Sequence, residues 1–262
     1  MKLSVITVNY NSKHFPKLCV EALEKSKTGF DFEILFVDNG STDPISLGFL
    51  EHAARDLRIK FIKSPKNLGF AGGNNLGAAH AAGEYLFILN PDTAVSENAL
   101  QSMIDYMELH PEIGILGPKL VYADGTVQES CRRDMRFLDL VIKRTPLRKY
   151  PWGRTRLENY LMQDFDHEKI QEVELITGAA IMMRRALFEK IGGFDERYFL
   201  FMEDFDLCKK VRTAGKKIVY FPKAPVNHYH RRLSSGNFFQ LLGKKVFWLH
   251  LQSAAKYFWK WR

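Results

Sequence analysis

The run Tyr198 to Leu207, YFLFMEDFDL, sets Glu203, Asp204 and Asp206 into aromatic and apolar surroundings. Taking a carboxylic acid out of water disfavours its charged form and raises its pKa, so an acid placed there can hold a proton near neutral pH. Such a group can act as the base that removes a proton from a hydroxyl. Asp204 is therefore the candidate general base. The same acids also suit the first turn of a helix over DFDLCKKVRTAG, because acids favour a helix N-terminus and the Lys and Arg that follow favour its C-terminus. The residue types alone leave both readings standing.

Further candidates sit where apolar runs give way to polar residues. Asp38, in VDNGSTD, can accept a hydrogen bond from a ligand such as the imide N–H of a pyrimidine, and the same letters also form an Asx turn. In NLGFAGGNN, Asn67, Gly69, Gly72, Gly73 and Asn74 could bring backbone N–H groups close to a phosphate or ribose; a Gly-rich turn with ordinary helix packing reads equally well. Asp92, in LNPDT, is a single carboxylate that could share a hard divalent cation with substrate oxygens. Asp92, Thr93 or Ser96 could instead cap the helix SENALQSMIDYM. His228 and His230 alternate in VNHYHRRLSSG, so on a strand both rings face one side and could ligate a metal or contact a diphosphate; a surface loop is the alternative.

The elements that must hold these residues alternate. LSVITVNY, FEILFVD, IKFIKS and EYLFILN have strand composition, and PKLCVEALEKS, the stretch around ISLGFLEHAARDL, and AGGNNLGAAHAAG have helical spacing or small-residue helix character. This predicts a parallel, doubly wound sheet with ligands gathered at the strand C-termini. IGILGPKLVYADGTVQES reads as short strands about an Asp-Gly turn, and VELITGAAIMMRRALFEKIGGFD as strand, helix and Gly-Gly stop. Cys131 to Gln171, rich in Arg, Lys and aromatics, lacks periodicity and reads as a loop over the site or a surface helix.

At 262 residues with 46% hydrophobic content, the chain has enough apolar residues for a substantial core. Cys19, Cys131 and Cys208 lie far apart without CxxC spacing, which fits a reducing cytosol and gives no structural zinc site. MKLSVITVNYNS reads as a strand rather than an export signal, and no window reaches the roughly 20 apolar residues of a membrane span. The net charge of +8 favours an anionic partner, a nucleotide or a membrane surface before nucleic acid, whose recognition signatures are absent.

VNYNS, VDNGSTD, NLGFAGGNN, LNPDT, TGAAIMMRRALFEKIGGFDERYF, MEDFDLCKKVRTAG and NHYHRRLSS, in this order over about Leu3 to Gly236, resemble the inverting glycosyltransferases of family two, and most closely their rhamnosyltransferase-like branch. The resemblance implies a GT-A type, Rossmann-like mixed α/β sheet flanked by helices, with one domain over 1–236 and a basic, aromatic C-terminal helix over 237–262. It implies transfer of a sugar, L-rhamnose in that branch, from a dTDP- or UDP-sugar to a glycan or polyprenyl-linked acceptor in surface polysaccharide synthesis.

By the same resemblance, Val8, Asn9, Tyr10, Asp38, Asn67, Gly69, Gly73, Asn74, Asn90 and Asp92 would hold the nucleotide, and Gly178 and Ala179 would lie beside the donor sugar and acceptor. Asp204 would be the base and Glu203 would orient acceptor or sugar. Asp92, with His228 or its competitor His230, would hold Mg²⁺ or Mn²⁺. Asn90-Pro91-Asp92 departs from the family's DXD by an Asn in the first place, which leaves Asp92 one carboxylate fewer. A sugar-nucleotide nucleotidyltransferase would carry a GxGxR-rich first loop where this chain has VNYNSKHF, and the intact Glu203-Asp204 pair argues against a non-catalytic binding protein. Leu241 to Arg262 interleaves Phe, Leu and Trp with Lys and Arg. It suits either peripheral attachment to the inner membrane face of a cytoplasmic enzyme or a terminal helix packed on the domain.

Overall fold

A computed structural model describes residues 1–229 and 245–262. His230 and the expected domain boundary at 236/237 lie outside the described residues. Strands β1 (Leu3–Asn9), β2 (Phe32–Asp38) and β4 (Tyr85–Leu89) are buried almost throughout, as the near-continuous apolar runs of strands covered on both faces should be. With β3 (Lys60–Lys63), β5 (Thr93–Val95), β6 (Ile113–Val121), β8 (Gln171–Glu172), β10 (Ala180–Arg184) and β11 (Lys217–His228) they form a nine-stranded sheet in the order β3-β2-β1-β4-β10-β6-β11-β5, with β8 paired to β11.

The sheet is mixed, which corrects the all-parallel expectation from element order alone. β3, β2, β1 and β4 pair in parallel, as do β6 and β11, while β10 runs antiparallel between β4 and β6. The reason lies in the path of the chain. It enters β10 beside the end of β4, with Ala180 opposite Leu89, and can only run back from there. IGILGPKLV is one nine-residue strand rather than several short ones. The expected turn follows it, with Gly125 at φ +82° and Tyr122 N–H donating to the Thr126 carbonyl at 2.8 Å.

The two sheet faces carry separate cores. Helices α1 (Phe15–Glu24), α2 (Pro44–Arg55) and α4 (Ala99–Leu109) supply Val20, Leu50 and Met103 to one. Helices α3 (Gly69–Ala79), α7 (Arg185–Lys190) and α8 (Glu203–Thr213) supply Ala71, Phe188 and Leu207 to the other. The stretch that lacks periodicity is neither a bare loop nor one helix. It holds β7 (Cys131–Arg132), α5 (Phe137–Arg144), a 3-10 turn (Pro146–Lys149) and α6 (Pro151–Tyr160), with β7 paired antiparallel to β9 (Leu175–Ile176). A third cluster joins Met135, Leu140 and Tyr160 of this stretch to Tyr198, Met202 and to Ala254 and Tyr257 of the last helix, α9 (Lys245–Lys260). These parts form a cap beside the start of α8.

Candidate active site

Parallel β1, β2 and β4 end at one edge of the sheet, β11 ends there too, and reversed β10 begins there. The edge therefore gathers Asn9, Asp38, Asn90, His228 and the Gly178-Ala179 step. Asn90 N–H donates to the Ala179 carbonyl at 2.9 Å, tying the end of β4 to that step.

Asn9 and Asp38 are opposite each other in the β1–β2 register. Asn9 Nδ2 donates to Asp38 Oδ1 at 3.0 Å and to Ser41 Oγ at 3.1 Å, and Ser41 N–H donates to Asp38 Oδ2 at 3.1 Å. The Asp38 side chain thus holds a local turn by bonding the backbone three residues on, at Ser41. A carboxylate with one such donor per oxygen still has lone pairs for a ligand. Tyr10, next in the chain, is half exposed at 50%.

The glycines of α3 have packing duties. A Cβ on Gly73 would lie 2.8 Å from Val8 Cγ1, and one on Gly69, whose φ is +76°, would lie 2.3 Å from the Phe199 carbonyl oxygen. Gly69 N–H donates to Asn67 Oδ1 at 2.8 Å and Phe70 N–H to the Phe199 carbonyl at 3.1 Å, so these two amides are engaged inside the protein rather than open to a phosphate. Buried Asn74 donates from Nδ2 to the Phe70 carbonyl.

Glu203 and Asp204 open α8 after two residues in left-handed backbone, Phe201 at φ +68° and Met202 at φ +71°. Side chains other than glycine pay roughly 1–3 kcal/mol for such conformations, which persist where the surroundings over-determine them. Here Met202 is buried in the cap cluster. Asp204 is partly exposed; its Oδ2 accepts from Gly178 N–H at 3.0 Å and its Oδ1 from Phe205 N–H at 2.9 Å. Glu203 is buried, and its Oε2 has no hydrogen-bond partner among the described residues. Burial raises the pKa of both acids. For Glu203 the neighbouring Asp204 charge adds to the rise, while for Asp204 the Gly178 and Phe205 amides and the Arg132 charge oppose it. Burial and the closeness of the two carboxyl groups together disfavour two negative charges on the pair. The acids open the helix as their types allow, and burial pushes both in the direction that holding a proton requires.

Asp92 caps no helix: the N-cap of α4 is Asn98, and Thr93 Oγ1 donates to the Asn90 carbonyl. Asp92 Oδ1 instead lies 3.5 Å from His228 Nε2. His228 Nδ1 is 2.9 Å from Gln128 Oε1, and Gln128 Nε2 donates to the His228 carbonyl at 2.7 Å. A histidine whose Nδ1–H is held by an oxygen presents Nε2 in the form that ligates metals, and one carboxylate with one imidazole fits Mn²⁺ or Mg²⁺ that takes its remaining ligands from substrate and water. Among the described residues, no three His, Cys, Asp and Glu side chains are grouped to hold an ion.

Gln128, Arg132 and Asn39 belong to the site without having been singled out in the sequence. Asn39, beside Asp38, offered a signal: its Nδ2 donates to Asn67 Oδ1 at 3.0 Å and to the Gly69 carbonyl at 2.9 Å, fastening the β2 end to α3. Gln128 and Arg132 had none, since only the pairing of distant segments brings them to His228 and Asp204.

A family profile described as "Glycosyl transferase family 2" matches residues 4–192, and one described as "Glycosyl transferase family 21" matches residues 167–254. The chain is 30% identical over 214 residues to the N-acetylglucosaminyl-diphospho-decaprenol L-rhamnosyltransferase of Mycobacterium tuberculosis, covering 78% of this chain and 68% of that protein. It is 26% identical over 204 residues to the rhamnosyltransferase WbbL of Escherichia coli K12, covering 72% and 69%. Among solved structures, GalNAc-T7 with UDP, GalNAc and Mn²⁺ aligns with a TM-score of 0.68 at 18% identity, over 88% of this chain and 44% of that one. Residues 1–349 of S. aureus TarS align with a TM-score of 0.60 at 20% identity, over 87% and 60%. At these identities the structural matches establish the shared fold. This chain spans about half of those two solved chains.

Proposed function

The chain belongs to glycosyl transferase family 2, and from that premise we propose that it moves a sugar from a nucleoside-diphosphate donor to a hydroxyl of a lipid-linked glycan, with inversion at the anomeric carbon. Two relatives named as rhamnosyltransferases, one of them an L-rhamnosyltransferase, support rhamnose as the sugar, with dTDP or UDP as the proposed carrier; the relative whose name includes diphospho-decaprenol supports a polyprenyl-linked acceptor. Such an acceptor fits work at the cytoplasmic face of a membrane.

The observation that carries this reading is Asp204: a carboxylate of raised proton affinity, aimed by two backbone N–H groups, at the edge where β4 ends and β10 begins. As the acceptor oxygen attacks the anomeric carbon, Asp204 takes the hydroxyl proton. The bond from the anomeric carbon to the diphosphate oxygen breaks on the opposite face, and its electron pair leaves with the nucleoside diphosphate. A single displacement of this kind inverts the configuration. Glu203 keeps its own proton and so leaves the negative charge on Asp204. Asp38, Asn9 and Asn67 form the nucleotide end, with Gly178 and Ala179 beside the transferred sugar. The chemistry a Mg²⁺ or Mn²⁺ ion supplies when bound is charge neutralisation on the departing diphosphate, and Asp92 and His228 are the residues that would hold it.

The test is a panel of UDP-, dTDP- and GDP-sugars assayed for nucleoside diphosphate release with a polyprenyl-diphosphate glycan acceptor, with and without Mn²⁺. Asp204→Asn should lower turnover about 10²- to 10⁴-fold while donor affinity by calorimetry stays near wild type. Wild-type turnover in that variant would remove Asp204 from the mechanism.

A further inference from the structure

The cap carries a concentration of charge and aromatic surface that the sugar-transfer chemistry does not use. Residues 136–160 and 245–262 together hold 11 of the chain's 38 basic residues and two of its 30 acidic ones. The other 219 residues carry 27 basic against 28 acidic, so the positive excess of the whole protein resides in these 43 residues. All four tryptophans, Trp152, Trp248, Trp259 and Trp261, fall in the same two stretches. Of the twelve large apolar side chains exposed among the described residues, six are here, including Phe137 at 65%, Trp152 at 52% and Trp259 at 63%.

The two stretches form one surface element. Phe137 of α5 meets Phe258 of α9 edge to face, with ring centroids 5.6 Å apart, and Leu140, Tyr160, Ala254 and Tyr257 share a core beneath. Among the described side chains some of these cations bind back onto the protein: Arg156 bonds Asp139 at 2.6 Å, Lys260 bonds Asp195 and Asp206, Lys256 donates to the Arg197 carbonyl at 2.7 Å, and Lys143 lies over the Tyr160 ring. Arg148, Lys149 and Arg154 lie in the short connection and first turns around exposed Tyr150 and Trp152. Trp and Tyr favour the boundary between acyl chains and headgroups, and Lys and Arg beside them favour anionic lipid.

We propose that α5, the 3-10 turn, α6 and α9 together form a docking surface for an anionic lipid bilayer, so that the membrane contact is a composite built from 136–160 as well as from the C-terminal helix. This rests on the reading of a lipid-linked acceptor and deepens it. The cap is fixed to the catalytic helix: Lys260 and Trp261 both bond Asp206, two residues past Asp204. A bilayer held by the cap would bring lipid-borne hydroxyls to the side of the base.

The experiment is co-sedimentation of the full chain, without donor, with vesicles of phosphatidylglycerol and phosphatidylcholine in equal parts, and with phosphatidylcholine alone. The wild type should prefer the anionic vesicles. A basic residue near such a surface is worth about fivefold in affinity, so Arg148→Gln with Lys149→Gln should weaken binding about 30-fold. Tyr150→Ser with Trp152→Ser should weaken it on both vesicle types. Both double variants should keep wild-type turnover of a water-soluble acceptor analogue. Unchanged vesicle binding in both would overturn the composite surface, as would equal binding to neutral vesicles. So would a wild-type dimer that these substitutions dissolve, since the face would then serve a second copy. Because vesicle binding is read without donor, failure of sugar transfer would appear separately as silence in the donor assay.

Discussion

A carboxylate at the mouth of a sugar-transfer site must be ionised to take a proton, yet basic enough to want one. Burial moves Asp204 toward the second requirement, and the N–H groups of Gly178, Phe205 and Asp204 itself pull back, together with the Arg132 charge. Arg132 reaches this position through the pairing of β7 with β9, three residues upstream of Gly178. In the proposed mechanism Asp204 works in its ionised form, so activity should fall as pH drops through its raised pKa. That acid limb should lie above the range of an ordinary carboxylate, about 3.9. Replacing Arg132 by Gln removes a charge that favours the ionised form, so the limb of kcat/KM against pH should move to higher pH. A limb that stays in place would mean that Arg132 has no electrostatic hold on the base.

At the scale of elements, Asp204, the proposed base, is positioned by the junction of three: the left-handed entry to α8, the turn from β9 into β10, and the N-terminus of α3. Gly178 is the closest point. A Cβ there would sit 3.3 Å from Asp204 Cβ and 3.4 Å from Phe70 Cζ, distances that oblige one neighbour to shift by a few tenths of an ångström. Gly178→Ala should therefore displace the carboxylate while barely altering the fold. A fall in kcat of about tenfold or more is expected, with a small change in Tm, because misplacement of a reacting group by about 1 Å can cost about a hundredfold. Much of this arrangement was legible in the sequence. Asp38, Asn90 and His228 end strands or directly follow them, and Asp204 opens a helix, each marked by a switch from apolar run to polar residue. What was not legible depended on pairing between distant segments. The reversal of β10 follows from where the chain re-enters the sheet, and Gln128 finds His228 a hundred residues away. For 137–160 the sequence left a loop and a surface helix open, because its helices bury apolar residues against α9 and the α8 entry, a partner no local periodicity encodes.

For the molecule as a whole, the last helix decides whether the cap and the catalytic domain are one folding unit. α9 buries Phe247, Ala254 and Tyr257, and Ser253 Oγ donates to the Leu200 carbonyl at 2.9 Å. Its end neutralises Asp206, a fully buried carboxylate that accepts from Trp261 Nε1 at 2.8 Å and from Lys260. Ending the chain at Lys244 would expose the Tyr198 and Met202 side of the cap core and take from Asp206 its closest cation. Loss of two aromatic burials costs about 1.5–3 kcal/mol each, and breaking a buried ion pair adds about 3–5 kcal/mol. The sum is comparable with the entire stability of many domains, about 5–15 kcal/mol. The shortened chain should melt at least about 10 °C lower than the full one, or lose its cooperative transition. It should lose turnover even with a water-soluble acceptor, because the strained turn at Phe201 and Met202 that aims Asp204 is held from the α9 side. An unchanged Tm with intact soluble turnover would make residues 245–262 a separable attachment helix, and the base would then owe its position to the sheet alone.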